Sequence, residues 1–270
     1  MNTTPAVFDS HIEQWIEEQG KPWGILRYKQ TQANLAKHLG SGPLRILDAG
    51  GGNGLDSIPL AAQGHCVEIV DYSAQMLDDA MRRAIQANLQ DRIAVHQANV
   101  QDIGSLFPGS HFDVVLCHNV LQYVEDAPAL LKNLALSLKE DGLISVISIN
   151  RYSLPYHAAF LRGDLAEALT QLDSRQMKAI TFDTVMTNYS VEEIRDMLVS
   201  AGCQIEQDYG LRCLCDYWGD NEHKLDPAIF EQLERLEFAL TDRHPYKLLA
   251  RYYQVIARKR WVNSGTVDEE

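Results

Sequence analysis

Long apolar runs are missing from this sequence. No stretch approaches the roughly 18 unbroken apolar residues of a membrane span. The opening "MNTTPAVFDSHIEQW" lacks a charged segment followed by an apolar one, as a leader would have. The expectation is a soluble, cytoplasmic protein with no membrane partner. Cysteine is scarce and odd in number: Cys66, Cys117, Cys203, Cys213 and Cys215 show no metal-ligand spacing. No metal site is expected, and four of the five lie in apolar, strand-like text that reads as buried free thiols. Positive charge is short as well, with 24 Lys and Arg against 37 Asp and Glu, a net charge of −13. That balance opposes phosphate backbones globally and leaves only a local basic surface to bind them. Internal repeats and low-complexity segments are absent, which excludes a solenoid, and the closing "NSGTVDEE" reads as a frayed tail.

What is present is enough apolar content, 46% of 270 residues, to bury a sizeable core in one domain with an insertion or cap. Residues 10 to 39 carry a helical period (Ile12, Trp15, Ile16, Ile25, Leu26, Leu35) broken by the turn-like "GKPWG", which predicts two helices. From residue 44 strand and helix text alternate. "RILDAG", "CVEIVD", "IAVHQAN", "DVVLCHNVL" and "LISVISIN" read as strands, and "SAQMLDDAMRRAIQAN" and "APALLKNLALSLKEDG" as helices. This rhythm implies a mostly parallel sheet covered on both faces. It breaks over 151–189, which shows helical pieces but no clear strand and reads as a cap. It resumes with a helix opened by a Ser190/Glu193 capping box, then the strand text "CQIEQDYGLRCLCDYW", a long helix and "RYYQVIARK".

The first strand ends in Asp48 and runs into Gly50, Gly51, Gly52 and Gly54, a nearly side-chain-free turn at the carboxyl edge of the sheet, where open α/β sheets bind ligands. Glycines alone also fit a plain helix-entry turn. The second strand ends in Asp71, where an acid can accept both hydroxyls of a ribose, so the ligand is expected to contain a nucleoside. The order "GGGNGLDS" puts Ser57 where a dinucleotide loop prefers a third glycine, and the crowded glycines leave room for an amino-acid moiety rather than a diphosphate.

"ILDAGGGNG", "VDYSAQML", the acid of "NVQD" and "HNVLQYVED" follow one another as do the motifs of class I S-adenosylmethionine-dependent methyltransferases, which this chain resembles over residues 44–150. The resemblance implies a Rossmann-like seven-stranded, mostly parallel sheet with the last strand antiparallel, and S-adenosyl-L-methionine as cofactor. It implies a methyltransferase domain over 43–270, a helical N-terminal flap over 1–42 and a cap insertion over 151–189. Gly50, Gly51 and Gly52 would face the methionine end of the cofactor, Asp71 its ribose, Val100 and Gln101 its adenine, and His118 its sulfonium region. Read from the residues alone, Asp102 caps a helix as readily, and a histidine closing an apolar strand is often a core residue.

"WGILRYKQTQANL", "GLRCLCDYW" and "RHPYKLLARYYQVIARK" further resemble the bacterial tRNA 5-carboxymethoxyuridine methyltransferase family, which methylates a carboxylate on a wobble uridine. This implies an acidic acceptor, with tRNA among the partners, and gives Arg27 the cofactor's carboxylate. A carboxylate is ionised at neutral pH and needs no general base, so beyond His118 the catalytic candidates are arginines. Arg212 and Arg251 lie in apolar and aromatic text where an unpaired charge is costly, so each is expected to meet an anion. That anion is the substrate, with Tyr217, Tyr246 and Tyr252 lining the approach, or an internal carboxylate such as Asp216 or Glu237. The sequence departs from that family in the cap, where Arg175 and Lys178 face Asp164, Glu167, Asp173 and Asp183 in place of a strongly basic stretch. No aromatic platform for RNA is evident in the text. A small acidic metabolite is therefore the alternative acceptor. A nucleotide-binding dehydrogenase or a catalytically silent cofactor-binding module is the alternative from another class.

Overall fold

The computed structural model describes residues 12–109, 111–179 and 184–260; the tail at 261–270 lies outside them. The chain enters through α1 (Ile12–Gly20) and α2 (Pro22–Ala36), the two helices the period predicts. Pro22 opens α2, where its missing N–H costs nothing. The alternating part follows as β1 (Arg45–Ala49), α3 (Ser57–Ala62), β2 (Cys66–Asp71), α4 (Ala74–Gln86) and β3 (Ile93–Gln97). A single 3₁₀ turn, Val100–Asp102, leads through α5 (Ile103–Leu106) to β4 (Phe112–His118), α6 (Ala127–Ser137) and β5 (Leu138–Ile149). Ser73 caps α4 by accepting from Met76 N, as its position predicts.

The 151–189 segment holds α7 (Ser153–Arg162), α8 (Leu165–Gln171) and a two-stranded antiparallel ribbon, β6 (Gln176–Ala179) and β7 (Thr184–Thr187). The ribbon corrects the expectation of a strandless cap. "QMKA" and "TVMT" are too short for a helix/strand distinction by period, and Met186 is buried only because it packs on Ile149 and Leu154. The Ser190/Glu193 capping box opens α9 (Val191–Ser200). Then come β8 (Cys203–Leu211), α10 (Asn221–Lys224), α11 (Pro227–Leu240) and β9 (Tyr252–Lys259). β8 stops at Leu211, so the "RCLCDYW" half of that strand text is a loop instead.

Seven strands form one sheet in the order β3-β2-β1-β4-β5-β9-β8. The pairings among β1 to β5 are parallel, and β9 runs antiparallel to both β5 and β8. Both faces are covered, so the inner strands read as continuous apolar text. On β4, Val115 and Cys117 pack with Leu130, Leu134 and Ile194 of α6 and α9. Val114 and Leu116 point the other way, to Leu60, Leu77 and Ala80 of α3 and α4. Four of the cysteines are buried free thiols and Cys66 is exposed. Strand order reverses between β1 and β4, which opens a crevice at the carboxyl ends of β1, β2 and β4.

Candidate active site

The glycine turn sits in that crevice. Gly50, Gly52 and Gly54 adopt φ of 76°, 52° and 76°, a left-handed path that other residues pay to follow. Their neighbours impose the same choice, because a Cβ on Gly50 would run into Val120 and one on Gly51 would stand 2.5 Å from the Asp48 carboxyl carbon. Asp71 ties the turn to β2: its Oδ2 accepts from Gly52 N at 3.0 Å and its Oδ1 from Ser73 N at 2.9 Å. Beneath lies Asp48, fully enclosed, accepting from Ser57 Oγ at 2.6 Å. Burial, reinforced by Asp56, pushes its carboxyl up to about 6.

Arg27 of α2 reaches the same crevice. Its Nη2 lies 3.6 Å from Asp56 Oδ2, and that oxygen is 3.1 Å from His118 Nδ1. His118 Nε2 is 2.8 Å from Ser145 Oγ, so both ring nitrogens of His118 are engaged inside the fold. Burial alone would raise the Asp56 carboxyl, but Arg27 and His118 outweigh it and hold it below the ordinary range. Arg27 pays a desolvation cost that Tyr28, whose ring centroid is 3.8 Å from its Cζ, and Asp56 overcome. Within this Arg27–Asp56–His118 group, Arg27 Nη1 and Asp56 Oδ1 are buried and have no hydrogen-bond partner among the described residues. A guanidinium donor and a carboxylate acceptor side by side complement the carboxylate and ammonium of an amino acid. Asp56 escaped the sequence reading. Its only signal was its place in "GLDS", directly after the glycine turn.

Val100 and Gln101 occupy the 3₁₀ turn after β3, held by Asn99, whose Oδ1 accepts from Gln101 N at 3.0 Å. Val100 packs partly on the core, while Gln101 and Asp102 are exposed.

A second cluster lies beyond Arg27. Arg212, at φ 58°, donates from Nε to Asp216 Oδ2 at 2.7 Å and from Nη2 to Oδ1. Its loop is fixed from below. The Glu237 carboxylate accepts from Cys213 N, Leu214 N and Cys215 N at 2.6, 2.8 and 2.7 Å, and Gln30 Oε1 accepts from Arg212 N at 3.0 Å. Glu237 thus meets backbone and not a guanidinium. Arg251 differs: among the described residues no carboxylate lies within ion-pair reach of it, and its Nη1 contacts Ser153 Oγ at 3.4 Å. The Tyr252 ring lies between the two, 5.5 Å from Arg212 and 5.8 Å from Arg251, and feels the charge of Arg27 as well. His157 of α7 is pushed down to about 4 by burial, then by Arg251, with Arg162 and Arg212 adding to it and Asp216 opposing.

Three further cations near the C-terminus pair within the fold: Lys247 with Asp208, Arg258 with Glu206 and Arg260 with Asp141. Tyr217 donates to Leu249 O and packs edge-on against Tyr156 and Phe160. This exposed aromatic group was invisible in the text. Tyr246 is exposed and has no ring contact with it among the described residues.

The sheet order, the glycine turn and the acid closing β2 define a class I methyltransferase. The family profile described as "Methyltransferase domain" matches residues 46–142. The tRNA 5-carboxymethoxyuridine methyltransferase of Escherichia coli (strain K12) is 30% identical over 221 residues, 82% of each chain. The ubiquinone biosynthesis O-methyltransferase of Rickettsia akari (strain Hartford) is 26% identical over 71% of this chain and 86% of its own. A solved S-adenosylmethionine-dependent methyltransferase from Listeria monocytogenes superposes with a TM-score of 0.60 at 20% identity, covering 87% of this chain and 99% of its own. The chain belongs to the S-adenosylmethionine-dependent methyltransferase family, and its cofactor is S-adenosyl-L-methionine. That leaves no place for the dehydrogenase alternative.

Proposed function

We propose that this methyltransferase esterifies a carboxylate, that of a carboxymethoxyuridine-type group in tRNA, and that Arg251 with Arg212 orients it. The observation that carries the reading is Arg251: a half-buried guanidinium with no carboxylate in ion-pair reach among the described residues, next to a second arginine and an aromatic ring. Such a cation calls for an external anion. The E. coli relative's name supplies the tRNA part.

Bound cofactor supplies an electrophilic methyl group on a sulfonium. Arg27 would hold its carboxylate through the free Nη1, and Asp56 its ammonium through the free Oδ1. Asp71, which also accepts from Gly52 N and Ser73 N, would accept the ribose hydroxyls. Gly50, Gly51 and Gly52 let the backbone approach, and Val100 and Gln101 flank the adenine. His118, with both nitrogens engaged, serves to orient Asp56 and is not available as a base. His157 is neutral near pH 7 and, with a pKa of about 4, is a weak base. A site without a good base suits a nucleophile that is already ionised. One carboxylate oxygen must stay clear of the arginines, since a guanidinium clamp lowers its nucleophilicity.

A small acidic acceptor is the second reading, favoured by a cap that balances four cations against four acids in 151–189. Labelled S-adenosylmethionine with separate pools of tRNA and of small metabolites, followed by alkali, tests both. The expected result is label on tRNA, released by alkali because methyl esters are base-labile. Alkali-stable label would overturn carboxylate methylation, and label confined to small molecules would overturn the tRNA part.

A further inference from the structure

We infer that Tyr156, Phe160 and Tyr217 form a stacking subsite for an unpaired nucleobase flanking the nucleotide that is methylated. The inference rests on the tRNA reading above. Residues 156 and 160 are four apart on α7, so both rings stand on one helix face. Their centroids are 6.0 Å apart with planes 23° from parallel, and Tyr217 meets them edge-on at 6.1 and 6.4 Å. Phe160 and Tyr156 are open to solvent, at 67% and 40% of full exposure, and Tyr217 beneath them is half-buried. An aromatic cluster built by two separate segments and left uncovered marks a binding surface more often than a stray exposed side chain does.

This cluster is joined to the acceptor arginines from both sides. Ser153, at the start of α7, contacts Arg251 through its Oγ and donates to Asn150 O at 2.7 Å. Tyr217 follows Asp216, the partner of Arg212, and its hydroxyl is bonded to Leu249 O, two residues before Arg251. A ligand held by its carboxylate at Arg251 therefore has its neighbours next to these rings. The occupant is a base rather than a phosphate because, apart from Arg251, which the acceptor carboxylate takes, the nearby arginines are already neutralised. Arg162 pairs with Glu167 at 2.7 Å, Arg175 with Glu193, and Arg212 with Asp216. Stacking on a π-face needs no net charge, so a chain of net charge −13 can hold an RNA loop this way.

The test is methyl transfer from labelled S-adenosylmethionine to an anticodon stem–loop RNA carrying 5-carboxymethoxyuridine, and to that nucleoside free in solution, by wild type, Phe160→Ala, Tyr156→Ala and Phe160→Trp. The alanine variants are expected to raise KM for the RNA roughly tenfold each, in line with one lost base stack. Their kcat, their turnover of free nucleoside and their calorimetric affinity for S-adenosylmethionine should stay unchanged. Phe160→Trp should keep the wild-type KM. The affinity of wild type for the RNA should fall only shallowly with salt, unlike a grip made of phosphate contacts. Alanine variants with wild-type KM on an RNA that is methylated would overturn the subsite alone. So would a KM change shared equally by the free nucleoside, or one explained by a shift in sedimentation that reveals a second copy on this face. Failure of wild type to methylate the RNA at all would overturn the tRNA reading, and the subsite with it.

Discussion

Arg212 and Arg251 flank one tyrosine, yet their situations differ. Arg212 lies mostly covered against Asp216 in a bidentate pair and its pKa lies well above the ordinary value, where burial opposes the charge and Asp216 and Tyr252 outweigh it. Removing it leaves Asp216 as a mostly covered, unpaired anion, a loss of up to about 3–5 kcal/mol, the value for a fully buried pair. Arg251 leaves no orphan behind. Arg251→Ala is expected to change stability by no more than about 0.5 kcal/mol while raising the acceptor's KM at least tenfold, and Arg212→Ala to lower Tm by several degrees as well. Thermal melts beside steady-state kinetics check this. An Arg251 variant with unchanged KM would remove that residue from the acceptor site. The sequence marked both arginines because they interrupt apolar text. It left open which had an internal partner, since Asp216 and Glu237 were equally eligible by composition.

At the scale of elements, α2 and α11 meet the loop after β8, and the joint is polar. Arg27, Gln30, Thr31 and Asn34 lie on the buried side of α2, at helical spacing, where an amphipathic pattern would place apolar residues. Gln30 Nε2 donates to Glu237 O at 3.2 Å while its Oε1 receives Arg212 N at 3.0 Å, so one side chain ties together the helix of Arg27 and the loop of Arg212. Glu237, completely buried, stands in for a cation-paired acid by collecting three backbone N–H groups. Burial raises its pKa, and the three donors reduce that rise. Glu237→Gln turns an N–H toward one of those donors. It is expected to cost about 1–3 kcal/mol and to raise the acceptor's KM, with calorimetric cofactor affinity held within about twofold. Equal loss of cofactor affinity would mean that the joint serves the whole fold. Period analysis could not reveal this joint, because it counts only apolar residues. The β6–β7 ribbon escaped for a related reason: four-residue strands carry too few positions to show alternation.

For the whole molecule, the crevice is built by segments from β1, β2, β4 and α2, so a ligand bound there ties together parts that unfolding separates. S-adenosylmethionine at about 100 times its Kd should add about 2.7 kcal/mol to stability. Asp71→Ala, which removes the proposed ribose acceptor and the strap on Gly52, is expected to weaken binding at least tenfold and to cut that gain to about 1.4 kcal/mol or less at the same concentration. Melting curves with and without cofactor measure it directly, and an undiminished shift would take the ribose away from Asp71.

The sequence by itself determined the sheet class, the glycine turn and the acid of β2. Each is written within a short stretch: a strand in its apolar run, the turn in four glycines, Asp71 in its place at a strand end. Only the tertiary structure decided that Asp56 stands between Arg27 and His118, that Arg212 meets a carboxylate while Arg251 meets none among the described residues, and that Tyr156, Phe160 and Tyr217 come together. Those relations join residues from distant parts of the chain. A charge or a ring carries no mark in the text of the partner that folding will bring within about 4 Å of it.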